Sequence, residues 1–170
     1  MDDFIYPDPS PQQRYYLYCT CTAKIYGFDC TDSGSFATGA IRSEAFVFPI
    51  PEKLPSDAAA PLMCGGITVC AALTLHGVVK PNDTVGIIGI GGLGHLAIQF
   101  AKAMGCEVVV FSTTESKREQ AIQLGASHFV VTKGKFELSV PRKINHLLIT
   151  ASQQPDWKQF MPIMAKGGSI

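Results

Sequence analysis

Thr84-Val-Gly-Ile-Ile-Gly-Ile-Gly-Gly-Leu-Gly-His-Leu-Ala97 is the stretch on which the fold turns. An apolar run of strand character breaks into Gly89-x-Gly91-x-x-Gly94 and then opens a helix. The spacing gives each glycine a task. Gly89 makes a tight turn, Gly91 lets the backbone approach a pyrophosphate, and Gly94 lets helix and strand pack closely. The helix that follows offers free N–H groups and the positive end of its dipole to the phosphates. Three glycines at this spacing are a weak signal alone. The strand before them and the helix after supply the context that a dinucleotide site requires, and a glycine-rich turn without a ligand fits that context poorly.

Downstream, strands and helices alternate. A strand at 84–90 leads to a helix at 92–104, ended by Gly105 where a C-terminal glycine is expected. A strand at 107–111 leads to a helix at 115–124 stopped by Gly125, and a short strand at 128–132 precedes a polar connection with Lys133, Lys135 and Pro141. A strand at 145–150 leads to a helix at 155–164, and Gly167-Gly168 open a last strand that reaches Ile170. Such alternation predicts an α/β fold with a parallel, doubly wound sheet of Rossmann type. Two βαβαβ halves make about six strands. Here one half is complete and the second stops early, so an unpaired sheet edge is expected.

Upstream, residues 1–25 read as a leader without pattern, extended by Pro7, Pro9 and Pro11. Ser35–Arg42 and Ala45–Ile50 read as two short strands. Ser56-Asp-Ala-Ala starts a helical turn that Pro61 interrupts, a second apolar helix runs to about Leu75, and Lys80-Pro-Asn-Asp83 is a turn. The organisation is therefore a leader (1–25), a connecting segment (26–80) and an incomplete dinucleotide-binding domain (81–170).

With 170 residues, 46% of them hydrophobic, the chain can enclose one ordinary core. Charged residues are 16% and the net charge is zero, which excludes a disordered tail and gives no electrostatic case for nucleic acid or an anionic membrane. No apolar run reaches transmembrane length. The acidic, proline-broken start Met1-Asp-Asp-Phe-Ile-Tyr-Pro7 is unlike a secretory signal. Six cysteines, at 19, 21, 30, 64, 70 and 106, lack disulfide-framework spacing and read as reduced thiols of a cytoplasmic protein.

The tip of the second strand bears on the choice of cofactor. NAD needs an acidic residue about 20 residues past the glycines to accept from the ribose hydroxyl. Phe111-Ser-Thr-Thr114 supplies none, and Lys117-Arg118 add positive charge in the next turn. Hydroxyls and a lysine favour NADP over NAD. Glu115 is the contrary residue, although an acid at a helix start also suits the dipole. Lys117 and Arg118 read otherwise as a solvated helix face.

Gly34-Ser-Phe-Ala37, Phe48-Pro-Ile-Pro51, Ala60-Pro-Leu-Met-Cys-Gly-Gly-Ile-Thr68 and Gly89-Ile-Gly-Gly-Leu-Gly94 occur in an order and spacing that resembles the zinc-containing medium-chain alcohol dehydrogenases, in their cinnamyl-alcohol-dehydrogenase-like branch. The resemblance spans about residues 26–170. It implies reversible hydride transfer between NADP(H) and a primary alcohol or aldehyde, a zinc ion polarising the substrate oxygen, and a homodimer as the compatible assembly. It makes 26–80 a remnant of a β-rich, GroES-like catalytic domain. It also implies residue roles. Cys64 matches the third ligand of the catalytic zinc, and Thr68 the threonine near the nicotinamide. Gly89, Ile90, Gly91, Gly92, Leu93 and Gly94 match the pyrophosphate loop. Ser112, Thr113 and Lys117 fall where this branch holds the ribose phosphate, and Thr150 matches another cofactor contact.

The departures from the family pattern are large. No histidine precedes His76, so the family's Gly-His-Glu segment with its zinc ligand is missing, and Cys19, Cys21 and Cys30 do not reproduce the four-cysteine structural zinc motif. Catalytic zinc takes three protein ligands, so this chain alone is not expected to hold it, and Cys64 reads equally as a partly buried thiol. Cys70 and Cys106 read as packing residues, as do Phe160, Met161 and Met164 at helical spacing. His76, His95, His128 and His146 show no metal spacing. The leading expectation is an NADP-dependent, zinc-type alcohol dehydrogenase. The alternative is a non-catalytic cofactor-binding remnant, or a truncated and inactive relative.

Overall fold

The computed structural model describes residues 38–39, 48–75 and 79–170. The chain forms two compact units, Met1–Ser56 and Asp57–Ile170. Most of the first unit, including nearly all of the two short strands expected at 35–50, lies outside the described residues; Phe48, Pro49 and Ile50 are in no strand. Within it, a turn closes where the Leu54 N–H donates to the Pro51 carbonyl at 2.9 Å.

From Ser56 onward the chain makes a single turn, α1 (Ser56–Ala59), and a 3-10 turn over Ala60–Met63 that carries Pro61. Helix α2 follows at Gly65–Thr74. Five parallel strands come next, β1 (Thr84–Ile88), β2 (Glu107–Ser112), β3 (His128–Val131), β4 (Ile144–Ile149) and β5 (Met164–Ser169), in the spatial order β3-β2-β1-β4-β5. Helix α3 (Gly92–Ala103) connects β1 to β2, and α4 (Arg118–Gln123) connects β2 to β3. This is the doubly wound order with its reversal between β1 and β4, the place where such sheets bind ligands.

Both faces of the sheet are covered, which explains why its strands are apolar without alternation. On one face Val85, Ile87, Val108 and Val110 pack with Ala97, Ile98 and Ala101 of α3 and with Val69 and Leu73 of α2. On the other, Val109, Phe111, Ile144 and Leu147 pack with Phe160 and Ile163. The Phe111 and Phe160 rings meet edge to face at 5.1 Å, a geometry that contributes about 0.5–1.5 kcal/mol beyond the area buried. Gly86 makes this face possible: a Cβ there would lie 2.8 Å from the Leu147 side chain.

Three expected elements change. The segment 115–124 divides into a 3-10 turn, Glu115–Lys117, and the short α4. The helix expected at 155–164 is one α-turn, α5 (Trp157–Phe160), capped by the Asp156 carboxylate on the Lys158 N–H, and a 3-10 turn over Met161–Ile163. Pro162 has no N–H to extend it. Met161 is consequently 57% exposed rather than core, and Met164 starts a strand. The last strand thus begins at Met164, with Gly167 and Gly168 inside it, and it pairs irregularly with β4 through Ile144↔Met164 and His146↔Ser169.

The His146 ring of β4 bridges Asp83 Oδ2, just before β1, at 3.1 Å and Ser169 Oγ, the last residue of β5, at 2.8 Å. No single helix among the described residues is long and apolar enough to cross a membrane.

Candidate functional site

Strand β1 ends at Ile88 because Gly89 turns the chain with φ +94°. Bonds on both sides hold the turn. The Gly89 N–H donates to the Phe111 carbonyl at 3.0 Å, and the Thr150 N–H donates to the Ile88 carbonyl at 3.0 Å. The Thr150 hydroxyl adds donations to the Ile88 carbonyl at 2.9 Å and the Gly89 carbonyl at 3.2 Å. The tip of β4 is thereby tied to the glycine loop across the switch point.

Helix α3 starts at Gly92 with Gly91 as its N-cap, in extended conformation and without a capping side chain. Its first N–H groups are left for a ligand. A Cβ on Gly91 or Gly92 would meet nothing within 4 Å, so the backbone lies open there. Gly94 is buried, and a Cβ there would overlap the Gly89 carbonyl and come within 2.8 Å of Thr150 Oγ1. The backbone thus has a tight turn at Gly89, open space at Gly91 and close packing at Gly94.

Ahead of the strand tips lies an open cleft of about 410 Å³. Ile88 to Gly91 form one wall, Phe111 to Thr114 with Lys117 a second, and Thr132 with Thr150 to Gln153 the remainder. Among the described residues no carboxylate lines it, and Lys117 is its one cation. Glu115 is not on the wall. It pairs with Arg118, whose hydrogen bond holds the Glu115 carboxyl below its ordinary value. Lys117 Nζ reaches across the cleft and donates to the Ile90 carbonyl at 2.8 Å.

Of the residues singled out in the sequence, Gly89, Ile90, Gly91, Ser112, Thr113, Lys117 and Thr150 come together on this cleft. Gly92, Leu93 and Gly94 form the first turn of α3 beside it. Cys64 and Thr68 are exposed at the start of α2, away from the cleft wall. Gly65 brings this end of α2 against α3, where a Cβ would lie 3.4 Å from Leu96 and 3.5 Å from Leu93. Thr114, Thr132, Ser152 and Gln153 line the cleft without having been singled out. Their signal is position, since each closely follows the C-terminal end of a parallel strand.

The site suits a dinucleotide: an open glycine backbone, an uncapped helix start, and hydroxyls with one lysine at the tip of β2. It does not suit zinc. Cys64 is an exposed free thiol, and among the described residues no three His, Cys, Asp or Glu side chains are grouped to hold a metal. One thiol falls short of the three ligands that a catalytic zinc needs.

Comparison with known proteins agrees with this geometry. Residues 92–170 match the zinc-binding dehydrogenase family. The chain is 46% identical over 121 residues to cinnamyl alcohol dehydrogenase 8 of Arabidopsis thaliana, covering 68% of this chain and 34% of that protein. It is 39% identical over 136 residues to mannitol dehydrogenase of Petroselinum crispum, covering 77% of this chain and 40% of that protein. Among solved structures, the CAD of Helicobacter pylori complexed with NADP(H) superposes with a TM-score of 0.59 at 32% identity, over 69% of this chain and 33% of that one. The chain spans less than half the length of these curated relatives. The chain thus matches the zinc-binding dehydrogenase family over residues 92–170 and resembles the cinnamyl alcohol dehydrogenases.

Proposed function

We propose that residues 81–170 are the NADP(H)-binding part of a medium-chain alcohol dehydrogenase, an oxidoreductase that interconverts a primary alcohol and its aldehyde. The observation that carries this reading is the composition of the cleft wall, in which hydroxyls and Lys117 stand at the tip of β2 and none of the described residues brings a carboxylate to compete with a phosphate. Bound there, the dinucleotide supplies the hydride carrier. The open backbone at Gly91 and Gly92 and the start of α3 take its pyrophosphate. Ser112, Thr113 and Lys117 take the phosphate on the adenosine ribose, and Thr150 fixes the glycine turn. Thr68 keeps the role that the family resemblance gives it, the nicotinamide contact, whereas Cys64, exposed and without further metal donors grouped around it among the described residues, is given no metal role.

The relatives named above act on different alcohols, so the reading commits to a class and not to one alcohol. We place the protein in the cytoplasm, with a homodimer as its assembly. A second reading, a non-catalytic NADP(H)-binding protein, draws support from Cys64 having no group of metal donors around it among the described residues.

Fluorescence titration of the 170-residue chain tests the cofactor reading. NADPH is expected to bind about tenfold to a hundredfold more tightly than NADH, the size of one charge-assisted phosphate contact. Lys117→Ala is expected to remove most of that preference. Equal affinities in the unaltered chain would overturn the reading.

A further inference from the structure

We propose that Lys117 has a second task, as a positioning residue that holds the glycine loop in its anion-accepting form. The inference rests on the cofactor reading above for its ligand, but on a separate contact for its geometry. Lys117 belongs to the turn after β2, and Ile90 is the second residue of the glycine motif. Their bond joins points 27 residues apart, across the mouth of the cleft that both line.

The Ile90 carbonyl presents the negative end of its dipole at the edge of a site meant for phosphates. Left bare, it would oppose the pyrophosphate that the neighbouring Gly91 and Gly92 backbone accepts. The lysine ammonium cancels that dipole and pins the loop. Its three donors allow this without loss of the phosphate role, because one is used on Ile90 and two remain. A single cation therefore serves both subsites and couples them.

A lysine that served the ribose phosphate alone would leave a ligand lacking that phosphate unaffected by its removal. Nucleotide fragments separate the two tasks. ADP carries the pyrophosphate without a 2′-phosphate, and 2′-AMP carries the 2′-phosphate without a pyrophosphate. Lys117 is an exposed residue, so its variants are expected to fold. In Lys117→Ala, affinity is expected to fall about tenfold for 2′-AMP and severalfold for ADP. Amide hydrogen exchange over residues 89–94 is expected to quicken in the absence of any nucleotide. Lys117→Arg, which keeps a charged donor, is expected to restore the exchange protection.

Unchanged exchange and unchanged ADP affinity in Lys117→Ala, with 2′-AMP weakened, would overturn the positioning role and leave the cofactor reading standing. Conversely, an unaltered chain that binds 2′-AMP no better than 5′-AMP would sink the cofactor reading. In that case, faster exchange in Lys117→Ala would still support the tie to Ile90. Should no nucleotide bind at all, the exchange rates alone decide.

Discussion

The α-carbon of Gly94 faces the carbonyl oxygen of Gly89 so closely that no Cβ fits between them. This contact sets the distance between the first turn of α3 and the end of β1. Gly94→Ala is expected to cost about 1–3 kcal/mol, the range for overpacking a tight interior, because the atom it strikes is backbone and cannot rotate away. Gly92→Ala, with open space around its Cβ, is expected to cost nothing. Thermal unfolding of the two variants checks this pair, and equal midpoints would contradict it.

Gly91→Ala separates folding from binding. Nothing lies within 4 Å of its Cβ, so the fold is expected to keep its stability. The methyl group would nevertheless occupy the face where a pyrophosphate approaches. Weakened NADPH binding at unchanged thermal stability is the expected result. Unaltered binding would place the pyrophosphate elsewhere.

Ser112→Asp probes the choice of cofactor from the opposite side. It puts a carboxylate at the tip of β2, where none of the described residues brings one to the cleft. Repulsion is expected to lower NADPH affinity by about tenfold or more, while NADH gains an acceptor for its ribose hydroxyl. The ratio of the two dissociation constants is the measurement, and it is expected to invert.

Much of this architecture was legible in the sequence because it rests on local rules. Apolar runs of strand length, glycines at the ends of α3 and α4, and the spacing of the loop glycines each follow from backbone geometry. The misread elements depend on tertiary context. Nothing near Phe160 marks the end of its helix except Pro162, and the strand from Met164 exists because β4 offers it an edge. Likewise, the bond from Lys117 to Ile90 joins two turns that only the folded sheet brings together. Thr132, Ser152 and Gln153 carry no motif, and their place beside the cleft follows from strand order.

Asp83 gives the fold a dependence on acid. Burial alone would raise its carboxyl. The Lys80 N–H, the His146 hydrogen bond and the charges of His146 and Lys80 outweigh that effect and hold it below its ordinary value. A carboxyl depressed in the folded state contributes stability above its unfolded value and loses it as pH falls through the folded one. Stability is therefore expected to drop below about pH 4, the ordinary carboxylate value. Asp83→Asn is expected to be less stable than the unaltered chain at pH 7 and to converge with it on acidification. Urea midpoints across this range check the convergence, and parallel curves would remove Asp83 as the cause.

Metal retention and turnover both bear on Cys64. Hydride transfer requires the nicotinamide ring carbon and the substrate's carbonyl carbon to be held about 3–3.5 Å apart, and much of the rate comes from that positioning. The described residues form a cleft that suits a dinucleotide, whereas Cys64 is exposed and stands apart from any group of metal donors among them. The 170-residue chain is expected to keep no stoichiometric zinc after chelation, and Cys64→Ser to leave NADPH titration unchanged. It is also expected to show no NADPH-linked reduction of aromatic or aliphatic aldehydes by itself. Elemental analysis and a reductase assay on the same preparation check both outcomes. One tightly held zinc per chain, with turnover abolished by Cys64→Ser, would show that donors such as Cys19, Cys21 or Cys30, or a second copy of the chain, complete the site.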